Sequence, residues 1–148
     1  MAYIYELEYT IHSVIENLDA HGLAEGEPEI SITTAEGFFK ADEERSLITY
    51  TESTEGGKVV TDITVEAGAV TLSRKGAIVF DARFAEGESL NTLYSIPPYS
   101  FDAKITTKKV RADITKAGGE IRLVYSMNIG GQEKAVRLRI SARPRPRS

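Results

Sequence analysis

Val59-Val60-Thr61-Asp62-Ile63-Thr64-Val65-Glu66-Ala67-Gly68-Ala69-Val70-Thr71-Leu72-Ser73-Arg74 is the stretch on which the reading of the chain turns. Val59, Thr61, Ile63 and Val65 alternate with Asp62 and Thr64. After Ala67-Gly68, Val70 and Leu72 resume the alternation and lead into Arg74. Successive side chains of a strand point to opposite faces, so this period of two describes two half-buried strands. Glycine between them admits the positive φ that a tight hairpin requires.

The same pattern extends in both directions. Upstream lie Tyr3, Tyr5, Leu7, Tyr9 and Ile11, with Glu6, Glu8, Thr10 and His12 opposite, then Ile30 and Ile32 against Ser31 and Thr33, then Ile48 and Tyr50 leading into Glu52. Downstream lie runs beginning at Ile78, Leu90, Phe101, Ile121 and Val136. Gly56-Gly57, Lys75-Gly76, Glu86-Gly87, Gly118-Gly119 and Gly130-Gly131 punctuate them, and Pro97-Pro98 marks a longer corner. The spacing predicts an all-β chain of about ten strands in sequential hairpins. A meander with one apolar face must bury it, and a closed antiparallel up-and-down barrel does so while removing exposed edges. One segment admits two readings. Ser13-Val14-Ile15-Glu16 fits a helix capping box that Gly22 would end, or it extends the first strand into a loose turn reaching Pro28.

A length of 148 residues, 41% apolar and 27% charged, suits one globular barrel over residues 1–142. Residues 143–148, Arg143-Pro144-Arg145-Pro146-Arg147-Ser148, are expected to form a disordered tail. With no Cys, disulfides, zinc–thiolate sites and a thiol nucleophile are all excluded. Met1 to Glu8 lacks the basic start and long apolar run of a signal peptide, so a cytoplasmic setting is expected and no membrane partner.

Charge is unevenly distributed. Residues 1–66 carry a balance of −12 and residues 67–148 one of +8. Acidic early strands pairing with basic late ones account for this without nucleic acid, for which no motif is present. An even number of sequential strands makes the first and last antiparallel. Glu6 and Glu8 project outward from the first, Arg137 and Arg139 from the last, which predicts a ladder between residues 4–12 and 134–141.

No catalytic constellation emerges. His12 and His21 are the only histidines, and neither has a ligand-like spacing, so no metal site and no cofactor are expected. No glycine-rich loop opens a helix, and no serine sits in a nucleophile elbow. The interior is more informative. Parity puts Glu52 on the face of Ile48 and Tyr50, and Arg74 on the face of Val70 and Leu72, with Tyr94, Thr107 and Tyr125 also inward. Charges inside a barrel are costly unless paired or hydrogen-bonded. Either Glu52 and Arg74 form a structural pair, or Arg74 and a tyrosine hold an anionic head group.

An ordered set of short motifs adds a resemblance. Gly37-Phe38-Phe39, Tyr50-Thr51-Glu52-Ser53, Thr71-Leu72-Ser73-Arg74-Lys75-Gly76-Ala77, Phe84-Ala85-Glu86-Gly87, Tyr94, Thr107-Lys108-Lys109 and Leu123-Val124-Tyr125 recur in order over roughly residues 5–140. The chain thereby resembles the YwiB-like family, small bacterial proteins of uncharacterised function in the calycin superfamily. Ile96 and the glycine-free Pro97-Pro98-Tyr99-Ser100 depart from the family pattern at its proline corner. The resemblance implies a lipocalin-like or fatty-acid-binding-like barrel and assigns no activity.

Three functions follow. The first is a non-enzymatic barrel binding a small, partly apolar or anionic ligand through Arg74, with Glu52, Tyr94, Tyr125 and Thr107 around it. The second is a filled barrel acting as an interaction module through its surface. The third, an enzyme using Glu52, needs that carboxyl in an open pocket without an arginine partner. An interior cavity separates the first two.

Overall fold

Ten strands alternate with tight turns in the computed structural model, which describes residues 4–145. They are β1 (Ile4–Leu18), β2 (Ala24–Ala41), β3 (Ser46–Thr54), β4 (Gly57–Glu66), β5 (Ala69–Gly76), β6 (Val79–Phe84), β7 (Ser89–Ile96), β8 (Tyr99–Thr115), β9 (Gly118–Ile129) and β10 (Gln132–Pro144). Each pairs antiparallel with its sequence neighbours, and β1 pairs with both β2 and β10, so the sheet closes. The quoted stretch forms β4, a turn at Ala67-Gly68 and β5, with Val65 opposite Val70 and Ile63 opposite Leu72. Gly68 in that turn has a φ of +74°, in the left-handed region that an L residue enters only at a cost.

Inward parity held in nine of the runs because each carries its apolar residues on alternate positions. Leu7, Tyr9, Ile48, Ile63, Phe84, Ile105, Ile121, Leu123 and Ile140 are buried and fill the lumen. Residues 13–18 continue β1 as a strand, which settles the capping-box alternative. The capping box lost because these residues pair on both sides, with β2 and with β10, and two ladders satisfy more backbone groups than one short helix.

Three expectations need correction. In β2 it is Ser31 and Thr33 that face inward, while Ile30 and Ile32 lie 62% and 65% exposed. Parity in β2 is set by Ala35 and Phe39, both buried, and counting back from them by twos reaches Thr33 and Ser31. Ile30 instead sits opposite Val14 on the outer wall. The β1–β10 ladder exists, but it runs from Leu7–Pro144 to Asn17–Lys134, shifted from the expected register. Its charge partners change accordingly. Arg143 Nε donates to Glu8 at 2.7 Å, Arg145 pairs with Glu6 at 3.2 Å and also with Glu36, and Arg137 lies 3.7 Å from Glu16. The expected tail boundary at residue 143 is therefore also displaced. β10 continues to Pro144, and Arg145 is held by two carboxylates. Residues 146–148 of that tail lie outside the described residues.

Candidate functional site

The register builds an interior belt. Tyr50 lies opposite Thr61, Thr61 opposite Arg74, Arg74 opposite Phe80, and Phe80 opposite Tyr94. To one side of this belt the lumen is packed by Phe39, Ile48 and Ile63, while Leu72 reaches the cavity wall. To the other side a cavity of about 230 Å³ opens, bounded by Ile11, Ile15, Val136 and Leu138 as well as Tyr50, Arg74, Phe80 and Tyr94 of the belt. The lumen is thus filled on one side of the belt and holds a cavity on the other.

Polar groups gather at the hollow end. Glu52 sits one step beyond Tyr50 on β3, and Arg74 ends the inward stripe of β5. Their side chains are 13% and 23% exposed, and Arg74 Nη2 lies 3.6 Å from Glu52 Oε1. Thr33 Oγ1 donates to the other carboxylate oxygen, Oε2, at 2.9 Å. Arg74 carries five N–H donors. Among the described residues it makes no hydrogen bond, only this long ion pair.

Buried hydroxyls surround the pair. Burial pushes the Tyr125 phenol up to about 12, with the Arg74 charge pulling the other way. Burial, and then the Glu52 charge, also push the Tyr50 phenol above its ordinary value. These hydroxyls are neutral donors over the physiological range. Thr61 is fully buried in the belt between Tyr50 and Arg74, and its hydroxyl has no hydrogen-bond partner of normal geometry. Such a group costs roughly 1–3 kcal/mol.

Of the five residues expected at a ligand site, Arg74, Glu52, Tyr94 and Tyr125 line the cavity. Thr107 does not. It is buried opposite Tyr125, but its backbone serves the wall, accepting from Gly87 N–H at 2.9 Å and donating to Glu88 O at 3.0 Å. Inward parity alone could not separate a cavity residue from one in the packed layer. Ser13, Ser31 and Thr33 also line the cavity and were missed. The Ala35–Phe39 parity was the signal that would have found the last two. His12 lies on the outer wall and His21 in the β1–β2 turn, where its N–H donates to Asp19 at 2.8 Å. Among the described residues no group of three or more His, Cys, Asp or Glu side chains could hold a metal ion.

A closed ten-stranded meander with a half-hollow lumen defines a small antiparallel β-barrel protein. Within that class the chain belongs to the family described as Domain of unknown function (DUF1934), matched over residues 18–140. It is similar to a Bacillus subtilis (strain 168) protein described as the uncharacterized beta-barrel protein YwiB, 28% identical over 131 residues, 87% of each chain. The crystal structure of the ywiB protein from Bacillus subtilis superposes with a TM-score of 0.83 at 25% identity, covering 97% of this chain and 94% of that one. Among the described residues no helix is long and apolar enough to cross a membrane.

Proposed function

We infer that this chain is a non-enzymatic, calycin-like cytoplasmic barrel that binds a small, partly apolar anionic molecule in its hollow end. The observation that carries this reading is the Arg74 guanidinium. It borders a cavity of about 230 Å³, and its one carboxylate partner stands at 3.6 Å. A guanidinium with unused donors in a half-buried pocket suits a carboxylate or similar head group, which it can grip with two parallel hydrogen bonds. The thiol-free walls of Ile11, Ile15, Val136 and Leu138 suit a short apolar tail. Thr33 donates to Glu52 Oε2 at 2.9 Å, and with the carboxylate so engaged the arginine keeps donors for an incoming anion.

The packed half of the lumen supports the second reading, a barrel that acts only through its surface. The enzyme reading loses support from the Arg74 partner beside Glu52. Titration with hexanoate, with hexanol as the uncharged comparison, separates the readings. Saturable NMR shifts at Phe80, Tyr94 and Tyr125 with hexanoate, weaker with hexanol and lost in Arg74→Met, are expected. No saturable shift with either probe, and no small molecule in native mass spectra of protein purified from its source, overturns the proposal.

A further inference from the structure

The outer wall carries a second charge pattern, unrelated to the cavity. Arg111 on β8 lies opposite Arg122 on β9, Arg122 opposite Arg139 on β10, and Arg139 opposite His12 on β1. Four adjacent strands thus set three arginines and a histidine in one line across the sheet, about 14 Å long at the usual strand spacing. Like charges directly opposite one another destabilise a sheet. The next row adds Arg137 between two short residues, Val124 and Val14. Those valines leave a groove of about 360 Å³, bordered by His12, Arg122, Arg137 and Arg139.

Acids compensate part of this charge. Glu120 accepts from Arg122 Nε at 2.8 Å and lies 3.6 Å from Arg139, and Glu16 lies 3.7 Å from Arg137. Asp113 stands opposite Glu120 in the row beyond. Glu120 and Glu16 therefore serve three arginines around the groove. Among the described residues the terminal nitrogens of Arg122 and both ends of Arg139 make no hydrogen bond.

We propose that this groove is a binding site for a phosphate-bearing small molecule, held by Arg122, Arg137 and Arg139 with His12 at its edge. A phosphate oxygen set accepts several charge-assisted bonds at once and relieves the like-charge row. The outward positions of these rows hold no Phe, Tyr or Trp on which bases could stack, so a single-stranded nucleic acid is the less suited occupant.

The test is titration of inorganic pyrophosphate into the full chain at about 50 mM salt, following arginine side-chain N–H signals by NMR. Saturable shifts are expected at Arg122, Arg137 and Arg139. Arg139→Gln should weaken binding by about tenfold or more, and Arg139→Lys by less, because the lysine keeps the charge and loses the fork. Glu120→Gln removes the internal competitor and should strengthen binding. Arg83→Gln, on β6 and away from the groove, should change nothing. Equal shifts at Arg83, or an affinity indifferent to Glu120→Gln, overturns the site. A ten-nucleotide single strand that binds more than about tenfold tighter than pyrophosphate overturns the small-molecule assignment.

Discussion

Thr33 on β2 and Glu52 on β3 are joined side chain to side chain, Oγ1 to Oε2 at 2.9 Å, where the two strands no longer share a backbone ladder. The ladder covers Gly37–Ala41 against Ser46–Tyr50 and stops there. Beyond it, β2 pairs with β1. The bond therefore spans a parting in the barrel wall and at the same time fixes the carboxylate beside Arg74. Thr33→Val should cost roughly 0.5–1.5 kcal/mol in urea unfolding. It should also weaken hexanoate binding, because an untethered Glu52 can close on Arg74. Unchanged affinity would show that Thr33 has no part in the site.

Arg74→Ala should destabilise the barrel by about 1–2 kcal/mol, less than a fully buried pair would lose. The reason is that both side chains keep some solvent contact and stand 3.6 Å apart. A double-mutant cycle with Glu52→Gln reads the coupling directly. A coupling near zero would mean that the two charges are neighbours without being partners.

Gly37 marks the last paired position of β2 before the parting. A Cβ there would meet the Thr49 carbonyl oxygen at 2.0 Å. That atom is backbone and cannot swing aside. Gly37→Ala should therefore cost about 1–3 kcal/mol, the usual penalty of overpacking. A denaturation midpoint equal to that of the parent chain would show that β2 and β3 can separate freely.

Alkaline stability follows from the buried phenols. Tyr125 is raised to about 12 by burial, and an ordinary tyrosine titrates near 10. The folded-state value exceeds the unfolded one, so the contribution is complete below about pH 10 and is lost as pH rises through about 12. Arg74 lowers the Tyr125 value, so Arg74→Met should move it further up. Ultraviolet titration of the phenolates checks this, and an unmoved transition would place Arg74 too far from Tyr125 to matter.

Removing residues 143–148 deletes the ion pairs of Arg143 with Glu8 and of Arg145 with Glu6 and Glu36. The hydrogen bond and charge of Arg145 hold the Glu36 carboxyl below its ordinary value. This contribution is present above the unfolded value and is lost as pH falls through the lowered one. The truncated chain should melt slightly earlier at neutral pH and low salt. At about 1 M salt, where exposed pairs are screened, the deficit should shrink to what the lost β1–β10 pairing at Arg143 and Pro144 contributes. Identical melting at low salt would show that these pairs add nothing.

Strand number, strand order and the inward stripe of most strands were legible in the sequence, because alternation is local and glycine marks each turn. Glu52 and Arg74 stood out for the same reason, as charges on apolar faces. What tertiary structure alone decided depends on pairing between distant segments. The β1–β10 register selected Arg143 and Arg145, not Arg137 and Arg139, as partners for Glu8 and Glu6. The hairpin registers of β8–β9, with a shift between Thr107 and Lys109, and of β9–β10 aligned Arg111, Arg122 and Arg139 across three strands. The division of the lumen into a packed half and a hollow half also arose this way. Whether an inward side chain meets another or meets space depends on what the nine other strands bring to its level, and no run of ten residues contains that information.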